Sequence, residues 1–138
     1  MKLTNLKSIL AITIFTAIFA SCSSSPKEIP EDLTAQELIQ KGQDAFERRK
    51  YKESLRYYNT VIERHSNATT QYLEANYEIG HLFMKQEKYD QAKTVFEQLI
   101  SYYDNSIPGS LPGAYYKLAQ NEMEKIKEKQ ASKEEEDL

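Results

Sequence analysis

Ile79-Gly-His-Leu-Phe-Met-Lys-Gln-Glu-Lys-Tyr-Asp-Gln-Ala-Lys-Thr-Val-Phe-Glu-Gln-Leu-Ile100 is the stretch on which the fold turns. Tyr89, Ala92, Phe96, Leu99 and Ile100 recur at spacings of three and four, the apolar seam of a helix docked on a partner. Gly80 falls in the middle of the preceding helical pattern, where glycine costs about 0.8–1 kcal/mol relative to alanine. That cost makes sense where a neighbouring helix packs directly on the backbone. The same arrangement stands 38 residues earlier: Gly42, Tyr51, Ser54, Tyr58 and Val61 match Gly80, Tyr89, Ala92, Phe96 and Leu99 at one offset. A partial third copy begins at Ala119, 39 residues after Gly80. Thr34 with Glu37 forms the sequence signature of a capping box and opens the first helix. No run alternates apolar and polar residues long enough to argue a strand, so the expected class is all-α.

Each copy resembles the tetratricopeptide repeat, a helix–turn–helix unit of about 34 residues. That family places Gly or Ala within its first helix and an aromatic residue three positions on. Tyr, Ala, an aromatic and Ala or Leu follow in its second helix. Gly80, Phe83, Tyr89, Ala92, Phe96 and Leu99 meet the pattern. The first copy is looser, with Ala45 beside Phe46 at the aromatic position and Ser54 where Ala is usual. The resemblance covers residues 35–130 and implies about five helices, two and a half repeats, in a short right-handed solenoid. The residues beyond 34 per repeat fall in 66–72 and in 104–113, where Pro and Gly mark a loop. Stacked helix pairs of this family line a concave partner-binding face with their first helices. Carried over, the pattern puts Ile39, Gln43, Phe46 and Glu47 on that face, then Tyr77, His81, Met84 and Lys85, then Tyr116, Gln120 and Met123. Such an aromatic and apolar strip suits an extended peptide or a partner helix.

The N-terminus carries Lys2 and Lys7, an apolar run from Ile9 to Phe19, and Ala20-Ser21 before Cys22, the single cysteine. A positive start, a short apolar stretch and small residues describe a secretory signal peptide. Phe19-Ala-Ser-Cys22 resembles the bacterial lipobox, with Phe19 where Leu is usual. That resemblance implies cleavage before Cys22, a diacylglycerol on its sulfur and an N-acyl lipid such as palmitate on the new amine. An ordinary secreted protein with a chance cysteine at the cut is the alternative. The expected organisation is a signal peptide over 1–21, a flexible tether over 22–33, a helical domain over 34–130 and a charged disordered tail over 131–138.

Removing residues 1–21 leaves 117 of the 138 residues, with 16 basic against 21 acidic side chains. An acidic protein binds nucleic acid poorly through bulk charge. His65 and His81 stand in different repeats with no cysteine or second histidine at ligand spacing, and no phosphate loop or nucleophile elbow occurs. The sequence therefore points to no enzyme, no metal, no cofactor beyond the lipid and no small-molecule substrate. His65, near a helix end, complements its dipole. Arg48-Arg49-Lys50 lies in a turn, either solvated or facing an acidic partner or lipid headgroups. The order of residues 51–65 followed by Ala75-Asn-Tyr-Glu-Ile-Gly80 resembles the N-terminal half of the BamD-type outer-membrane assembly lipoproteins. It implies a lipid-anchored scaffold for β-barrel assembly at the periplasmic face of the outer membrane, with a β-barrel assembly subunit as partner. A pilotin-like role in secretin or pilus assembly and an adaptor for cell-wall enzymes are the alternatives. Two or three acyl chains at about 0.8 kcal/mol per buried CH₂ anchor a protein essentially permanently. Cys22→Ala is accordingly expected to accumulate uncut or to appear in the soluble fraction, read by fractionation and blotting; normal membrane retention would remove the lipid anchor.

Overall fold

Thr34 closes the start of the first helix: Glu37 N–H donates to its Oγ1 at 3.3 Å, and Thr34 N–H donates to the Glu37 carboxylate at 2.9 Å. The Thr34 N–H, and after it the Thr34 hydroxyl, which donates to the same carboxylate oxygen at 2.7 Å, hold the Glu37 carboxyl below the usual carboxylate range. The structure, a computed structural model, describes residues 28–67 and 69–136. Their regular elements are all helices: α1 (Ala35–Glu47), α2 (Tyr51–Arg64), α3 (Thr69–Lys85), α4 (Tyr89–Asp104) and α5 (Ala114–Glu136). The expected signal peptide, Cys22 and the last two residues lie outside the described residues. None of the described helices is long and apolar enough to cross a membrane.

The chain folds back between α1 and α2, and again between α3 and α4, through equivalent three-residue turns. Arg49 and Glu87, 38 residues apart, take the left-handed conformation with φ 58° and 57°. Each turn then closes on its helix in the same way, with Lys50 N–H donating to Ala45 O at 2.9 Å and Lys88 N–H to Phe83 O at 3.0 Å. These bonds satisfy carbonyls that a helix end leaves unpaired. The basic run Arg48–Lys50 is thus this turn. Its ends make exposed contacts to Asp44 at 3.9 Å and Glu53 at 3.5 Å, pairs of little energetic weight.

Helix packing follows the repeat. α1 packs on α2 and α3 on α4; α2–α3 and α4–α5 contacts join the hairpins; and α1 also meets α3, as α3 meets α5. α2 and α4 make no such contact among the described residues. The first helices therefore form one continuous row, with the second helices behind it, which is a tetratricopeptide-like helical repeat architecture. The crossing within each hairpin is unusually close. A methyl at Gly42 would meet the Tyr58 ring, with Cδ1 at 2.8 Å, and one at Gly80 would meet Phe96 Cε1 at 2.5 Å. Both rings are fully buried, and Ser54, Val61, Ala92 and Leu99 complete the seams.

Two expected boundaries are corrected. Residues 28–33 are fastened rather than a loose tether: Ile29 is buried in the core, and Leu33 packs against it. Arg64 donates to Pro30 O at 2.9 Å, and the His65 ring bonds Leu33 O at 3.1 Å. At the other end α5 continues through 131–136 instead of giving way to disorder. Gln130 donates to Asp90 at 3.0 Å and the Lys133 ammonium lies 5.1 Å from the Tyr89 ring centre, so the helix is docked on the start of α4.

Gly80→Val should lower unfolding stability by ~1–3 kcal/mol through overpacking against Phe96. Gly113→Val, where a Cβ would meet nothing within 4 Å, should change little. Denaturant melts of the two variants provide the check, and equal midpoints would refute the close-packed hairpin.

Candidate protein-binding groove

Because α1, α3 and α5 stand side by side, their inner faces share one surface. Aromatic rings run along it as a ladder. Phe46 lies 5.7 Å from the His81 ring, His81 stacks 6.1 Å from Tyr77, and Tyr77 lies 5.9 Å from Tyr115. The ladder thus crosses from α1 through α3 to α5. Tyr77 and His81 share a face of α3 because they are four residues apart.

A hollow of about 340 Å³ opens between α1 and α3. Gln40, Gln43, Phe46 and Glu47 line it from α1; Tyr77, Glu78 and His81 line it from α3; and Tyr58 of α2 reaches it from behind. Gln43 donates to Glu78 at 3.3 Å across the gap. A larger hollow of about 740 Å³ lies along the exposed face of α4, from Thr94 to Ser106, and gathers a single charged side chain, Glu97. The inner hollow is the richer site, because side chains from three helices converge there.

The electrostatics of the inner face are set by acids on α3 and α5. Burial raises the Glu78 carboxyl, the Gln43 bond opposes that rise, and the Glu74 charge one turn earlier adds to it. Burial, then Glu74 and Glu78, push the Tyr115 phenol up to about 12. Tyr77 is raised by burial and by the charges of Glu122 and Glu78. His81 is lowered by burial, against the pull of Glu122 and with that of Lys85 and Lys125. An imidazole held down in this way is neutral at pH 7. Glu122, almost fully buried on α5, is paired with Lys125 at 2.8 Å.

Of the residues assigned to the face from sequence, Gln43, Phe46, Glu47, Tyr77 and His81 come together at the hollow. Lys85 is exposed beside it, and its charge acts on His81. Five others stand elsewhere. Ile39 is fully buried in the core between the helices, and Met84 and Met123 pack at the margin of the second core cluster. Tyr116 turns to α4, its ring tilted against Tyr103 at 5.2 Å and its hydroxyl donating to Asp104 at 3.1 Å. Gln120 is exposed on α5, away from the hollow. Gln40, Tyr58 and Glu78 at the hollow, and Glu74, Tyr115 and Glu122 on the inner face around it, were not anticipated. The signal for the two acids of α3 was the spacing of four between Glu74 and Glu78, on the face that carries Tyr77.

Comparison with known proteins agrees with this architecture. Residues 74–106, which span most of α3 and all of α4, match the family model described as tetratricopeptide repeat. Repeats of this kind mediate protein–protein contacts. A curated protein of Treponema pallidum (strain Nichols), described as an uncharacterized protein, is 28% identical over 109 residues, 78% of this chain and 44% of its own length. The chain thus spans less than half of that relative. No solved structure matches it significantly.

The raised Glu78 carboxyl has a consequence for stability. Its folded pKa lies above its unfolded one, so the group binds more protons when folded and destabilises the fold as pH rises through that interval. Glu78→Gln should therefore raise the melting temperature at pH 7, with the gain shrinking toward zero as pH falls below the ordinary carboxylate value of 4.5. Thermal melts across pH test this; a gain that persists at low pH would assign it to something other than the carboxylate.

Proposed function

We propose that this protein is a lipid-anchored, non-catalytic scaffold that holds an extended segment of a partner protein along the α1–α3–α5 face, in the assembly of outer-membrane β-barrels. The aromatic ladder from Phe46 to Tyr115 supports the reading most directly. It is a continuous strip across successive repeats, with polar groups on either side of it. A peptide laid along such a row of rings buries apolar area at each repeat and is oriented by the polar groups. Attachment through Cys22, implied by the resemblance of Phe19–Cys22 to a lipobox, would keep the face at the periplasmic side of the membrane. The choice of β-barrel assembly rests on the resemblance of residues 51–65 and 75–80 to the BamD-type lipoproteins.

Photo-crosslinkers placed one at a time at the exposed groove positions Gln40 and Glu47, and at Gln98 on the outer face of α4, test the reading in living cells. A β-barrel assembly subunit should be captured from Gln40 and Glu47 and not from Gln98. Capture from Gln98 alone would move the working surface, and recovery of only secretins or wall hydrolases would overturn the setting.

A further inference from the structure

The two repeats contain their own control. Tyr58 and Phe96 are equivalent by the 38-residue offset, each ring lies against a glycine, and each is fully buried. Phe96 shows that this packing needs a ring and nothing more. The hydroxyl that distinguishes Tyr58 is surplus to packing and is buried with no hydrogen-bond partner among the described residues. Ser54 Oγ, one turn earlier, acts on the phenol but closes no bond of acceptable geometry with it. A buried hydroxyl left unpaired is unfavourable, so its presence calls for a reason.

Tyr58 lines the hollow between α1 and α3, and two other groups there are similarly incomplete. His81 Nδ1 is buried without a partner. Glu78, with Glu74 adding a like charge, has a neutral amide at 3.3 Å and no ion pair among the described residues. Lys125 is engaged by Glu122, and Lys85 is exposed. A carboxylate and a phenol oxygen accept, and Nδ1 of a neutral imidazole accepts in the tautomer that carries its proton on Nε2. What they lack is a donor. The walls are rings, those of Phe46, Tyr77 and His81 itself.

A guanidinium answers each of these features: it is planar, carries five donors and no acceptor, and stacks on aromatic faces. A lysine ammonium supplies charge but neither the plane nor the fork, and it holds its water more strongly. We propose that the hollow is a receptor for one arginine side chain of the partner segment, which donates to Glu78, Tyr58 and His81 and lies against Phe46 and Tyr77. This rests on the groove being the working surface, and it names the chemistry that the partner brings there.

The test is NMR of the full-length chain, labelled in its aromatic side chains and titrated with N-acetyl-arginine methylamide and with the lysine and citrulline counterparts. The arginine compound should shift the Tyr58 and His81 ring signals saturably, and the lysine compound should bind about tenfold more weakly or worse. Citrulline, the same shape without the charge, should produce no saturable shift. Tyr58→Phe should unfold no earlier than the parent yet bind arginine about three- to tenfold more weakly, and Glu78→Gln should lose about tenfold or more. Equal responses to arginine and citrulline, shifts that map away from α1 and α3, or unchanged titrations in both variants would overturn the pocket. If the arginine titration fails while Gln40 and Glu47 still crosslink the partner, the pocket falls and the groove stands. If arginine titrates as expected while those positions capture nothing, the pocket stands and the scaffold reading falls.

Discussion

Everything in this fold depends on an aromatic ring lying directly against a glycine. At Gly42 and at Gly80 the first helix of a hairpin has no side chain, and the ring of the second helix occupies that space. Interiors are packed as densely as organic crystals, so a contact this close sets the separation and crossing of the two helices together. The turns follow from it. Three residues suffice to join helices held so near, but only because Arg49 and Glu87 accept left-handed backbone that glycine would adopt more easily. Repeating the same contact 38 residues later makes the second hairpin a copy of the first. Stacking two copies is what brings α1, α3 and α5 into a row.

The row is where packing passes into recognition. The outer helices are occupied with the seam, whereas the inner faces keep rings and carboxylates that the core does not consume. In the second hairpin the ring under the glycine is a plain phenyl group. In the first it carries a buried hydroxyl, and the residue lines the hollow with Glu78 and His81, so the same architectural contact also supplies a floor for the hollow. Structure and site are therefore not separable at Tyr58.

The fold was legible because its cause is written at one offset in the chain, in residues whose types are few and whose spacing is strict. The site was only partly legible. A helix face read from periodicity is about one residue wide of certainty, which is why Ile39 was assigned to the groove and lies in the core. Tyr116 was misplaced because its hydroxyl finds Asp104, a partner on another helix that spacing within its own helix does not reveal. Glu74 and Glu78 resembled ordinary solvated charges, since their burial comes from a neighbouring repeat. Likewise Ile29 and Leu33 are isolated apolar residues in a Pro- and Glu-rich stretch. What fastens them are Arg64 and His65, more than thirty residues further along the chain. The Lys- and Glu-rich end of α5 looks solvated for the same reason, until Asp90 and Tyr89 of another helix receive it.

That fastening of residues 29–33 has a mechanical meaning. Among the described residues, Ile29 is the first that the core holds. Seven residue steps separate Cys22 from Ile29, so the two are never more than about 25 Å apart. Ile29 is itself locked to α2 by the Arg64 side chain. A force applied at Cys22 would therefore reach the back of the first hairpin within that distance. The hairpin that carries the Tyr58 hollow is thus also the part of the molecule that would bear a load applied at Cys22.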